Sequence, residues 1–170
     1  TNSGADDYIL KPFNFEILLS KIQNLLRMQQ TLKNTYQKQI EVKAEEVQVI
    51  SEDEKFLKNA FEFIELNITK VNFSVEELSR NLNLSRVSLY KKLLTLTGKT
   101  PVDCIRTVRL KRAVQLLQKS QLSIANVAYE VGYNNPAYFS KVFKEEYGVL
   151  PSEYVSDFKK NNKGKTASVS

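Results

Sequence analysis

Apolar positions recur along this chain with helical spacing, and the clearest run is residues 101–119, PVDCIRTVRLKRAVQLLQK. Val102, Ile105, Val108, Leu110, Ala113, Leu116 and Leu117 follow a period of about 3.6 residues, which predicts one continuous helix. Thr100 is placed to cap it, Pro101 suits its first turn, and Asp103 complements the helix dipole. The other side carries Arg106, Arg109, Lys111 and Arg112. Cys104 falls at a packed or half-packed position.

This helix stands between two copies of one pattern, residues 74–101 and 123–151. Val75, Leu78 and Leu82 correspond to Ile124, Val127 and Val131 at a shift of 49. Leu89, Leu93, Gly98 and Pro101 correspond to Phe139, Phe143, Gly148 and Pro151 at a shift of 50. The extra residue falls between these groups, in a turn. Each copy therefore reads as a short helix, a turn, a longer helix, a Gly stop and a Pro restart, which is the helix-turn-helix pattern. Asn83 and Gly132 supply the turn residues that tolerate unusual backbone angles.

In such a motif the second helix enters the DNA major groove by its N-terminal end. With Leu89, Leu93, Phe139 and Phe143 buried, helical phase leaves two exposed faces. The first carries Ser85, Arg86, Val87, Ser88, Tyr90 and Lys91. The second carries Asn135, Pro136, Ala137, Tyr138, Ser140 and Lys141. Arg86 suits a bidentate contact to guanine, Asn135 one to adenine or a phosphate, and Val87 and Ala137 suit thymine methyls. Most contacts of this kind go to phosphate and sugar, so several of these residues are expected to position rather than read. A connector of this length spans about 28 Å at a rise of about 1.5 Å per residue. Successive major grooves on one face of DNA lie about 34 Å apart, so two readers on one connector suit adjacent grooves or bent DNA.

Upstream, residues 8–10 read as a short strand followed by a Lys-Pro break, and Asn14 as the cap of an amphipathic helix. Leu18, Ile22, Leu25, Leu32 and Tyr36 have heptad spacing, a candidate homodimer seam over residues 18–36. The other reading is that Ile17, Leu18, Ile22 and Leu25 cover a sheet elsewhere in a parent domain. Residues 31–51 are less apolar and read as a helical linker. Ser51 with Glu54, and Ser74 with Glu77, form capping boxes. Helices are expected at 52–70, 75–82, 86–97, 101–119, 123–131, 136–147 and 152–160. The closing residues 161–170, with no apolar period, are expected to be a disordered tail.

Charge sharpens the functional reading. The net charge is +6, and all of it lies in residues 51–170, since residues 1–50 hold six basic and six acidic side chains. Residues 80–119 contain ten Lys or Arg and one acid, Asp103. A charge run is usually a solvated face; here it coincides with a helix-turn-helix and its connector, which favours phosphate contact. There is no His, the commonest metal ligand and general base, and one Cys. No enzyme constellation, metal or cofactor is expected. No apolar run is long enough for a transmembrane helix, so no membrane contact is expected from these residues. A chain beginning at Thr1 is expected to be a piece of a longer one. The competing class is a helical dimerisation or protein-interaction module with a basic surface.

Residues 73–154 resemble the DNA-binding domain of AraC/XylS-type transcription regulators. The matching positions are Ile124, Val127, Ala128, Val131, Gly132 and Tyr133, then Phe139, Phe143 and Lys144, then Gly148, Pro151 and Tyr154, with the first repeat in place before them. Tyr133 stands where Phe is usual, Val155 where Arg is common, and Pro136 removes a backbone donor. The resemblance implies an all-α domain over residues 52–160, with two helix-turn-helix units (74–97 and 123–147) joined by a long central helix and preceded by a helical linker. It implies double-stranded DNA as partner, RNA polymerase as a further candidate, contact sites on the two exposed faces, and a cytoplasmic location. Residues 3–30, SGADDYILKPF and the helix after it, resemble the end of a response-regulator receiver domain. That resemblance implies a truncated receiver over residues 1–30, with Lys11 as the phosphate-sensing lysine before a cis Pro12. Asp6 and Asp7 are not its phosphoacceptor or metal-binding acids, which belong to earlier strands. Together the two imply the output end of a two-component regulator, either a stand-alone response regulator or a hybrid with its sensor, and any membrane anchor, in the same polypeptide.

Overall fold

The computed structural model describes residues 51–166, together with Leu19 and Ser20. The candidate receiver remnant (1–30), the linker (31–51), the seam (18–36) and residues 167–170 therefore lie outside the described residues, apart from Leu19, Ser20 and Ser51. Among the described residues the chain forms seven α-helices and no strand. These are α1 (Glu52–Asn67), α2 (Val75–Asn81), α3 (Arg86–Thr97), α4 (Pro101–Lys119), α5 (Ile124–Glu130), α6 (Pro136–Tyr147) and α7 (Pro151–Thr166).

The chain folds as two compact units. Among the described residues, one contains 51–62 and Val75–Pro101; the other contains Phe63–Ser74 and 102–166. The first unit buries Leu57, Ala60 and Phe61 of α1 with Leu78, Leu89, Leu93 and Leu96. Its opening helix starts at the predicted capping box: Glu54 N–H donates to Ser51 Oγ and Ser51 N–H to Glu54 Oε2, both at 3.1 Å. The Lys92 ammonium lies 4.4 Å from the Phe56 ring centroid, a cation–π contact between α3 and α1.

The second unit is built on Leu110, Ala113 and Leu117 of α4, Val127 and Ala128 of α5, and Phe139, Val142 and Phe143 of α6. An aromatic series runs through it. Phe139 lies 5.5 Å from Tyr133 and 5.9 Å from Phe143, and Phe143 lies 4.7 Å from Tyr147 and 5.8 Å from Tyr154. Such tilted pairs add specificity to the area they bury. The Tyr154 hydroxyl meets Gln118 Nε2 at 2.6 Å, joining α7 to α4.

Three sequence expectations need correction. Residues 161–166 are helical and not a disordered tail, because α7 continues to Thr166. Tyr154, Val155 and Phe158 anchor its early turns, and once a helix is nucleated each further residue adds a hydrogen bond at small cost. Helix α1 stops at Asn67, short of residue 70. There Asn67 Nδ2 donates to the Phe63 carbonyl at 2.8 Å, and Lys70 N–H and Phe73 N–H close two successive turns; β-branched Ile68 and Thr69 do not favour continuation. Finally, α4 is not apolar on one side and solvated on the other. Residues 104–110 are all buried except Arg106, whereas Val102 is 62% exposed. Arg109, expected on the polar side, is 8% exposed.

Candidate nucleic-acid interface

The two helix-turn-helix units share one backbone device. In the first, Leu84 N–H donates to the Ser79 carbonyl at 2.9 Å and Asn83 N–H to the Arg80 carbonyl at 3.2 Å. In the second, Tyr133 N–H donates to the Ala128 carbonyl at 2.9 Å and Gly132 N–H to the Tyr129 carbonyl at 3.1 Å. This paired pattern is a Schellman stop with the intervening residue left-handed, and φ is 55° at Asn83 and 87° at Gly132. Gly132 has a second reason to be glycine. A Cβ there would stand 2.1 Å from the Ile68 carbonyl oxygen, so two backbone segments are in contact at this point.

Each turn delivers the chain to a capped second helix. Ser88 N–H donates to Ser85 Oγ at 3.1 Å, and Tyr138 N–H donates to Asn135 Oδ1 at 3.1 Å. Both helices end on left-handed glycines, Gly98 (φ 73°) and Gly148 (φ 78°). Ser85 and Asn135, chosen from the sequence as contact candidates, thus have their side-chain oxygens engaged as N-caps. Asn135 keeps its amide nitrogen, and the second lone pair of Oδ1, for an outside partner.

On α3 the structure exposes Ser85, Arg86, Val87, Ser88, Tyr90 and Lys91 together. The Arg86 guanidinium pairs with Glu76 of α2 at 3.0 Å, an exposed ion pair. Val87, Tyr90 and Leu94 form an exposed apolar stripe one turn apart along the same helix. Leu94 was missed by phase reasoning because it lies beyond the N-terminal turns. On α6, Asn135, Ala137, Tyr138 and Lys141 are exposed, and Pro136 and Ser140 are half-buried. The Tyr138 ring leans on Tyr133 at 6.1 Å.

The basic block is less free than its composition suggests. Arg106 pairs with Asp103 at 2.6 Å, Arg112 donates to Gln115 Oε1 at 3.1 Å, and Lys92 lies on Phe56. Arg109 is removed from the surface altogether. Its Nη1 donates to the Gly132 carbonyl at 3.0 Å and its Nη2 to the Lys70 carbonyl at 2.9 Å, with Nε buried and unpartnered. Burial pulls the Arg109 pKa below its ordinary value, and the adjacent Tyr133 acts the other way. Burial also raises the Tyr133 phenol, opposed by Arg109. No helix among the described residues is long and apolar enough to cross a membrane.

Comparison with known proteins agrees with this arrangement. Residues 78–157 match the family model described as a helix-turn-helix domain. Histidine kinase P4 of Formosa agariphila is 38% identical over 152 residues, which is 89% of this chain and 11% of that protein. An uncharacterized HTH-type transcriptional regulator in the cgkA 5′ region of Pseudoalteromonas carrageenovora is 32% identical, over 69% of this chain and 68% of that protein. The chain spans only 11% to 48% of the length of several longer curated relatives. Among solved structures, the C-terminal domain of AraT, a response regulator from Geobacillus stearothermophilus, aligns with a TM-score of 0.59 and 27% identity over 63% of this chain and 88% of that one. The DNA-binding domain of AdpA, solved with a target DNA, aligns with a TM-score of 0.58 and 25% identity over 62% of this chain and 94% of that one.

Proposed function

Since this chain belongs to the AraC-type helix-turn-helix transcription regulators, we propose that it reads double-stranded DNA through α3 and α6 as the output end of a longer two-component protein. The observation that carries this is the pair of matching turns, each presenting the exposed N-terminal face of a capped helix. Arg86, Val87, Tyr90 and Lys91 form one reading face; Ala137, Tyr138 and Lys141, with the Asn135 amide, form the other. The two-component role is supported by the likeness to a response-regulator C-terminal domain and by the kinase relative, whose similarity extends over most of this chain. On this reading the upstream residues link a receiver to the DNA-binding part, the protein acts in the cytoplasm, and any anchor lies in another part of the polypeptide. RNA polymerase is a further partner, and a second copy pairs through residues 18–36; the latter rests on heptad spacing alone.

Selection from random duplexes, followed by titration against scrambled competitor at several salt concentrations, tests the central assignment. The expected result is a preferred sequence whose log affinity falls linearly with log salt, by about 0.9 per phosphate neutralised. Salt-sensitive binding without sequence preference would leave only a basic interaction module. Sedimentation of this chain beside one starting at Ser51 tests the seam, which is refuted if both are monomers at high concentration.

A further inference from the structure

We propose that Arg109 is a positioning residue for the second recognition helix, holding the turn that precedes α6 in the orientation that presents Ala137, Tyr138 and Lys141. This rests on the DNA-reading assignment above and goes beyond it, because Arg109 touches no exposed face.

The geometry is a fork between two strands of backbone. From α4, the guanidinium reaches the Gly132 carbonyl, 23 residues away in sequence, and the Lys70 carbonyl, 39 residues away. The Ile68 carbonyl presses on Gly132 so closely that no side chain fits between them. One guanidinium thus holds two carbonyls by charge-assisted hydrogen bonds, beside the place where the Ile68 and Gly132 backbones meet. Its planar fork serves both acceptors at once, which a lysine ammonium on a flexible stem does not do with the same pre-organisation. The guanidinium also lies 5.7 Å from the Tyr133 ring centroid, so it meets the turn at two consecutive residues.

What the fork holds is the entry to α6. Gly132 is three residues ahead of Asn135, the N-cap, and Tyr133 packs on both Tyr138 and Phe139 of that helix. A shift of the Gly132 carbonyl would swing the cap and the first turn of α6, where the reading side chains sit. The corresponding residue of the first unit, Asn83, is exposed where Gly132 is buried. The requirement for Arg109 is therefore expected to fall on one reader and not on both.

The test is a base-preference profile, obtained by selection from random duplexes with the full chain. Val87→Ala marks the base pairs read by α3, and Tyr138→Ala marks those read by α6. Arg109→Lys and Arg109→Gln are then profiled, with a circular-dichroism melt of each variant. The expected result is loss of roughly tenfold discrimination, the size of one good base contact, at α6-marked pairs, with α3-marked pairs unchanged and the variants folded. Even loss over both sets, or no loss at either, would overturn the proposal. So would failure of both variants to fold, since Arg109 would then be a residue of the fold alone. A wild-type chain with no sequence preference would overturn the DNA reading and this proposal with it.

Discussion

Two glycines with nearly the same backbone angle are expected to respond very differently to alanine. Gly148 has φ 78° and nothing within 4 Å of an added Cβ. Gly148→Ala should cost only the left-handed strain of an L-residue, about 1–2 kcal/mol, less a few tenths regained because the unfolded chain becomes stiffer. Gly132 has φ 87°, and its added Cβ would lie 2.1 Å from the Ile68 carbonyl oxygen and 3.1 Å from Arg109 Nη1. Backbone must move there, and the movement loosens charge-assisted hydrogen bonds worth about 1.5–3 kcal/mol each. Gly132→Ala should therefore cost roughly 2.5–5 kcal/mol, the sum of strain and one lost bond. The chain has no Trp, so urea unfolding is best followed by far-ultraviolet circular dichroism. With a slope of about 2 kcal/mol per molar urea, the midpoint should fall by about 0.5–1 M for Gly148→Ala and by about 1.2–2.5 M for Gly132→Ala. Equal shifts would refute the reasoning, because they would mean that the Ile68 carbonyl moves aside freely.

Arg86→Ala should relax preference at one base pair by roughly 1–3 kcal/mol, measured by competition; equal weakening on specific and random duplex would make Arg86 a phosphate contact. Glu76→Gln, which breaks its exposed ion pair, should change stability by less than about 1 kcal/mol in the same urea assay. Lys91→Ala and Lys141→Ala should each weaken all duplexes alike and reduce the salt slope by about 0.9. Tyr133 gives a pH signature. Its phenol is raised above the ordinary 10.0 by burial, so its share of stability is complete below that pH and is lost as pH climbs through the higher folded value. Urea midpoints of wild type and Tyr133→Phe between pH 8 and 11 should diverge only above about 10, with the variant losing less; parallel curves would count against a buried phenol.

Much of the fold is legible in the sequence because its signals are local. Ser51 and Glu54, Asn83, Gly98 and Gly148 act within four residues of themselves, and the repeat at shifts of 49 and 50 carries the same turn into the second unit. The exposed faces of α3 and α6 follow from phase once Leu89, Leu93, Phe139 and Phe143 are assigned inward. Two features escape the local pattern for a common reason. Ser85 and Asn135, expected as contact residues, also cap their helices by accepting from the N–H groups of Ser88 and Tyr138. Arg109 looks like surface charge because burying a guanidinium is costly unless partners are supplied, and its partners are carbonyls that only the folded chain brings near. Nothing in the local pattern of α4 separates Arg109 from Arg106 or Arg112, so no periodicity argument would have found it.

The duplicated scaffold has a consequence for how this protein would lie on a promoter. Turn for turn the two units agree, yet their outward faces share only a lysine, Lys91 and Lys141, at the same register; Arg86 faces Pro136 in that alignment, Val87 faces Ala137 and Tyr90 faces Ser140. Symmetric dimers of one recognition helix read palindromes, which look the same from either end. On the proposed reading, two unlike faces in one polypeptide would recognise a phrase with a beginning and an end. A single chain seated on such a site would have a left and a right, so inverting the site would turn the chain around on the duplex.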